Sequence, residues 1–187
     1  MRIAGLIGFA VLASVLHAGS RGVERECLLV HLHGTDEMPF IILIQAEQIA
    51  HWIFNDIGVS AFWTKSVWRQ APSSCAAVEV AFVLHSPKGP HPGELAYTEL
   101  SQDGRTQIYI FIDRLLGANQ HDHEKVLAHV MAHEIGHALE GVARHSATGV
   151  MKAHLSASEM CYRKLRFAPE DADLIRAGLL KARQLPR

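Results

Sequence analysis

The sequence predicts one α+β domain, in which a mixed, twisted β-sheet packs against helices. Short β-branched and aromatic runs alternate with Gly, Pro and Asp turn signals, which is the pattern of successive strands. A long apolar stripe with helical spacing follows them at residues 126–139. Residues 21–187 contain no internal repeat and no Pro/Ser/Gly linker, and this length suffices for one buried core.

Local patterns predict the individual elements. The predicted strands are apolar or aromatic runs bounded by turn residues, at 27–32, 62–68, 78–84, 95–99 and 107–112. A helix is predicted over 44–57, where isoleucines recur at helical spacing and Gly58 ends the pattern. Prolines and glycines predict a loop at 85–93, and Asp103-Gly104 predicts a turn.

The first twenty residues have the composition of a secretory signal peptide. Arg2 supplies the positive charge, residues 3–16 form the apolar core, and Ala18 or Ser20 suits cleavage. This apolar run is short for a membrane span. We therefore expect a signal peptide at 1–20, a domain at 21–187 and no stable membrane span after cleavage, with retention as an anchor as the alternative. The expected location is secreted or periplasmic.

Charge and cysteine content restrict the partners. The formal net charge is −1 at pH 7, so nothing indicates binding to nucleic acid. Cys27, Cys75 and Cys161 are an odd number of cysteines, and an exported chain could form one disulfide from them. The sequence does not decide which two pair. A monomer is expected.

The pentapeptide HEIGH at residues 133–137 lies inside the long apolar stripe. His133 and His137 are about one helical turn apart, so both imidazoles can bind one ion from the same face of a helix. Glu134 is placed to reach a water on that ion. The HExxH pattern therefore predicts a zinc-dependent hydrolase, with Glu134 as the catalytic carboxylate.

A third ligand is needed to complete a catalytic site of this kind. Gly141 ends the helical pattern, because glycine readily adopts a positive φ there, and the chain can then return His145 toward the metal. Three imidazoles and one open position make a catalytic zinc site. His154 and Glu159 are the alternatives for the third ligand. Three nearby residues are interpreted as surface, solvated or supporting groups, not ligands: His129, Glu140 and Arg144.

Residues 133–151 resemble the metzincin peptidases, and the matrixin-like branch in particular. That family has HExxHxxGxxH followed by a Met-turn, whereas this chain has the longer variant HExxHxxxGxxxH, with Gly141 and His145 in the later positions. The resemblance implies a zincin-like fold in which Met151, in a Met-turn at 147–151, packs beneath the ligands. It also implies an edge strand beside the cleft at 93–98 and a C-terminal helix that includes 167–175.

Together these observations predict a secreted zinc-dependent metalloendopeptidase. One catalytic Zn²⁺ would be bound by His133, His137 and His145, and Glu134 would assist attack of a zinc-held water on the peptide bond of a protein or peptide substrate. The alternatives are a non-catalytic zinc- or partner-binding domain on the same scaffold, and an amidase that acts on cell-wall peptides. Cleavage preference and latency are not predicted.

Overall fold

The computed structural model describes residues 25–65, 74–85, 93–100, 106–117 and 122–183. The predicted signal peptide at 1–20 and the predicted turn at 103–104 lie outside these residues, as does most of the predicted loop at 85–93. Among the helices of the described residues, none is long and apolar enough to cross a membrane.

The described strands form one five-stranded sheet in the order β2-β1-β3-β5-β4. β1, β2, β3 and β5 run parallel to one another, whereas β4 is antiparallel to β5 and lies at the sheet edge. The strands are β1 (Glu26–His33), β2 (Val59–Thr64), β3 (Cys75–Val83), β4 (Ala96–Leu100) and β5 (Thr106–Phe111). All five predicted strands are confirmed, although β2 begins earlier than predicted and residues 66–68 lie outside the described part of the chain.

Five helices and one 3₁₀ turn (Thr35–Glu37) complete the described residues. The helices are α1 (Phe40–Asn55), α2 (Ile112–Gly117), α3 (His123–Glu140), α4 (Ala157–Tyr162) and α5 (Pro169–Ala182). The helix predicted over 44–57 is confirmed as α1, which begins earlier, directly after Pro39. α2 and α4 were not predicted, because helices of six residues are too short to show a repeating apolar stripe.

The core lies between one face of the sheet and the helices that cover it. In β3, Val78, Val80 and Phe82 are buried and alternate with more exposed residues, as expected for a sheet covered on one face. α3 packs against α1, α5 and the two strands β4 and β5, and most of its length is buried. The helix that carries the HExxH pattern therefore lies at the buried centre of the domain. This architecture confirms the predicted α+β fold class.

A disulfide joins Cys27 and Cys75, which are paired neighbours on the parallel strands β1 and β3. The sequence left this pairing open, because only the sheet register brings the two residues together. Closing a loop with a sequence separation of 48 residues stabilises the fold by about 4 kcal/mol on a chain-entropy argument. Cys161 is not part of this bond.

Candidate metal centre

α3 positions His133, Glu134 and His137. The helix continues to Glu140 and ends at Gly141, which has a φ of 68° and donates its backbone N–H to the carbonyl oxygen of His137. Glycine suits this position because L side chains rarely adopt a positive φ. The predicted helix end is confirmed. One extra residue in the helix accounts for the later position of Gly141, and a second extra residue lies in the turn between Gly141 and His145.

The three predicted metal ligands converge on one point. One ring nitrogen from each of His133, His137 and His145 lies within 4.8 Å of the others. The Nε2 atoms of His133 and His137 are 3.0 Å apart, close to the roughly 3.3 Å between nitrogens of a tetrahedral zinc site. Across the described ranges no other group of three His, Cys, Asp or Glu side chains is arranged to hold an ion, and neither His154 nor Glu159 joins this one.

The hydrogen bonds at the Nδ1 atoms of His133 and His137 leave their Nε2 atoms available to a metal ion. His133 Nδ1 lies 2.8 Å from the carbonyl oxygen of Val150, and His137 Nδ1 lies 3.3 Å from that of Val142. Because a carbonyl only accepts, each Nδ1 carries the proton, and each Nε2 presents a lone pair to the other ring. Two lone pairs at this distance repel each other unless a cation lies between them. The donor set therefore fits Zn²⁺.

The environment favours the uncharged form of all three imidazoles. Burial lowers the pKa of His133, and burial also lowers that of the more exposed His145. The pKa of His137 falls to about 4, because burial and then the neighbouring imidazoles His133 and His145 disfavour its charged form. The neutral imidazole is the form that binds metal.

Glu134 is held by Thr98, which was not predicted as a residue of the site. The Glu134 side chain is largely buried, and the hydroxyl of Thr98 on β4 lies 2.6 Å from its Oε2 and 3.0 Å from its backbone oxygen. Thr98 thus ties the edge strand to the candidate catalytic carboxylate. The only sequence signal for this contact was that Thr98 ends the predicted edge strand at 93–98.

Met151 packs directly beneath α3. It is fully buried, and a Cβ at Gly136 would lie 2.5 Å from its Sδ atom. Gly136 therefore leaves room for Met151 between the two ligand positions of α3. Gly149 has a φ of 79°, and a Cβ there would lie 2.3 Å from the carbonyl oxygen of Arg166. This packing agrees with the place that the metzincin resemblance implied for Met151.

No family model and no curated protein matches this sequence. The chain is similar to the solved structure of an archaemetzincin from Archaeoglobus fulgidus complexed with malonate, with a TM-score of 0.51 and 16% identity over 79% of this chain and 99% of that chain. It is also similar to an archaemetzincin from Methanopyrus kandleri, with a TM-score of 0.49 and 17% identity over 86% of this chain and 98% of that chain.

The chain has a zincin-like fold. This follows from the likeness to the Archaeoglobus fulgidus archaemetzincin together with the observed sheet and helices. The metzincin part of the predicted resemblance agrees with this fold, whereas the matrixin-like branch stays a prediction.

Within this zincin-like fold, the interpretation of Glu140 as solvated is wrong, whereas the side chain of Arg144 is partly exposed. The Glu140 side chain is fully buried, and its Oε2 lies 3.2 Å from Nε of Arg144. The two groups form an ion pair, but these two atoms do not have the geometry of a hydrogen bond. Burial raises the pKa of Glu140 to about 6, against the opposing effect of Arg144. Arg144 also pairs with Asp171 of α5, a buried carboxylate that the sequence analysis did not single out. α5 packs against this end of α3, where the carboxylate of Glu140 is buried.

His129 lies one turn before His133 but stays outside the cluster. It is buried, and its Nδ1 donates to the carbonyl oxygen of Lys125 at 2.7 Å. Burial lowers the pKa of its imidazole. His129 is therefore a buried helix residue of the core, in line with the expectation that it is not a ligand.

Proposed function

We propose that the chain is an exported, zinc-dependent metalloendopeptidase. The observation that carries this proposal is the convergence of three neutral imidazoles beside a largely buried glutamate on the same helix. His133, His137 and His145 would bind one Zn²⁺, and Glu134 would act on the attacking water. A structural zinc site would not need that carboxylate, so its presence favours catalysis over the non-catalytic alternative.

The chain's own groups supply the proton transfers of peptide hydrolysis. A bound zinc ion would supply a Lewis acid that activates water and polarises the scissile carbonyl. Glu134 would accept a proton from that water as the water attacks the carbonyl carbon, and then deliver it to the leaving amine. The hydroxyl of Thr98, 2.6 Å from Glu134 Oε2, would hold the carboxylate in one orientation during both transfers.

The sheet edge supports an extended peptide as the substrate. β4 is the outer strand of the described sheet on the side of α3, and its residue Thr98 touches Glu134. A peptide that adds to this edge by main-chain hydrogen bonds would therefore pass beside the catalytic glutamate. A cell-wall peptide offers the same main-chain groups, so amidase activity is the second activity to test.

The disulfide supports the proposal of export. Disulfides such as Cys27–Cys75 form and persist in oxidising compartments outside the cytosol. The proposed signal peptide at 1–20 would direct the chain there. Fractionation of cells that express the full chain, with and without residues 1–20, tests this, and equal retention of both forms in the cytosol would contradict it.

The first experiment is zinc analysis of the purified protein beside cleavage of a quenched peptide library and of cell-wall peptides. We expect one zinc per chain and cleavage in the peptide library. Zinc with cleavage of cell-wall peptides alone would favour the amidase. Zinc without cleavage of either substrate would favour a binding domain, and absence of zinc would contradict the metal centre.

Replacing His145 by alanine is expected to weaken zinc binding by more than about 100-fold, because loss of a ligand costs more than loss of a group that supports one. Competition with a chelator of known affinity measures the change. His154→Ala is the matched control and should bind zinc like the original chain, since His154 lies outside the cluster. Unchanged affinity in His145→Ala would transfer the role of third ligand to His154 or Glu159.

Replacing Thr98 by valine is expected to lower kcat by about 10- to 100-fold, with KM and zinc content unchanged. Valine keeps the shape of the side chain but removes the hydroxyl that fixes Glu134, and small displacements of a catalytic group have effects of this size. Thr98→Ser keeps the hydroxyl and should restore most of the rate. Full activity in Thr98→Val would show that Glu134 does not depend on this contact.

A further inference from the structure

The third histidine of the cluster stands on a loop that follows α3. The side chain of His145 is exposed, so burial in the core does not fix its orientation. His133 and His137, in contrast, project from a buried helix and are held from behind by backbone carbonyl oxygens. The geometry of the cluster therefore depends on what holds the loop around His145.

Both chain neighbours of His145 donate to one buried carboxylate. The guanidinium of Arg144 and the hydroxyl of Ser146 each donate to Oδ1 of Asp171, with a distance of 2.5 Å for Ser146. Asp171 is fully buried, and its Oδ2 accepts the backbone N–H of Ala168 at 3.3 Å. Hydrogen bonds to a carboxylate are stronger than those between neutral groups. The two donors here, Arg144 and Ser146, are the residues directly before and after His145.

The charges and backbone contacts around this carboxylate favour one loop conformation. Glu140 and Asp171 are both buried at the side chain and share the positive charge of Arg144. A buried carboxylate without a counter-charge is costly, so both hold the guanidinium in place. On the other side, the backbone N–H of Ser146 donates to the carbonyl oxygen of Met151 at 2.8 Å. His145 is thus fixed from both sides.

We propose that Asp171 is a positioning residue of the metal centre, which holds His145 at the ion through Arg144 and Ser146. The inference rests on the zinc binding proposed above and extends the site to α5, outside the stretch that contains the ligands. Asp171 acts through the loop, so its removal should affect the third ligand and leave the two ligands on α3 in place.

The test is zinc affinity, measured by chelator competition on the purified protein without any substrate. Asp171→Asn keeps the shape of the side chain but removes its charge, and we expect zinc to bind about 10- to 100-fold more weakly. Asp173→Asn is the matched control, because Asp173 lies on the same helix, is exposed and pairs with Arg176. Zinc affinity in Asp171→Asn equal to that of the original chain would overturn the proposal.

A double-mutant cycle separates positioning from general loosening of the fold. In the His145→Ala background, Asp171→Asn should cause no further loss of zinc affinity, because the ligand it supports is already absent. A further loss as large as in the original chain would overturn the proposal. If Asp171→Asn does not fold, Ser146→Ala decides in its place: we expect about 3- to 10-fold weaker binding, and unchanged binding would count against the proposal.

The same measurements separate this inference from the function on which it rests. If the original chain binds no zinc, the metal centre itself is wrong, and the inference falls with it. If the original chain binds zinc and Asp171→Asn binds it equally well, the metal centre stands and only the role of Asp171 is rejected.

Discussion

Replacing Glu134 by glutamine is expected to lower kcat for peptide cleavage by about 10²- to 10⁴-fold, while zinc stays bound. A loss of this size is the usual contribution of a general base. Glutamine has nearly the same shape, and its amide oxygen can still accept the hydroxyl of Thr98, 2.6 Å from the carboxylate oxygen of Glu134. It cannot accept a proton from water. Zinc content and steady-state cleavage, measured on one preparation, check both parts of this prediction.

Glu159→Gln is the control for this substitution. Glu159 is an alternative third ligand from the sequence, but its carboxylate contacts Lys152 at 2.5 Å and caps the start of α4 through Ser156. We expect its replacement to leave both zinc content and turnover unchanged. Full turnover in Glu134→Gln would remove Glu134 as the proton acceptor. Loss of zinc in Glu159→Gln would return Glu159 to the ligand set.

Replacing Gly178 by alanine is expected to destabilise the fold by about 3 kcal/mol or more. A Cβ at Gly178 would lie 1.8 Å from the carbonyl oxygen of Leu139 and 2.7 Å from its carbonyl carbon, so α5 and α3 would have to separate. Overpacking costs typically about 1–3 kcal/mol, and a clash with backbone relaxes less easily than one with a side chain. The roughly 1 kcal/mol that alanine gains in helix propensity does not offset this.

Denaturant unfolding of the metal-free protein measures this effect. Gly117→Ala is the matched control, because Gly117 also lies in a helix but an added Cβ would meet no atom within 4 Å. We expect Gly117→Ala to change the free energy of unfolding by less than about 1 kcal/mol. Equal stability of the Gly178 and Gly117 variants would show that α3 and α5 do not cross as closely as described.

Separation of the two helices should also weaken zinc binding, since α5 carries Asp171. A shift of α5 would move the carboxylate that holds Arg144 and Ser146 on either side of His145. We therefore expect Gly178→Ala to lose zinc affinity in addition to stability. The stability of the fold and the geometry of the metal centre are coupled at this helix crossing.

The helix that carries the site was predictable because its signals are local. One stretch of chain contains an i, i+4 pair of histidines, an apolar stripe and a glycine at the helix end. The structure has the predicted helix there, α3, with Gly141 at its end. The strands were predictable for the same reason. Six-residue helices such as α2 and α4 carry too little periodic pattern to be recognised.

The supports of the site were not predictable, because they join residues that are distant in sequence. Thr98 and Glu134 are 36 residues apart, and Ser146 and Asp171 are 25 apart. The burial of Glu140 likewise depends on α5 lying over the end of α3, and a sequence gives no sign of which charged residue another helix will cover.

The fold class, the position of the HExxH helix and the candidate ligands His133, His137 and His145 could all be predicted from local patterns. The sheet order, the Cys27–Cys75 disulfide, and the contacts of Thr98 and Asp171 with the site are properties of the folded chain. Periodicity and capping arise from neighbours along one chain segment. Hydrogen bonds and ion pairs between segments depend instead on how whole elements pack together.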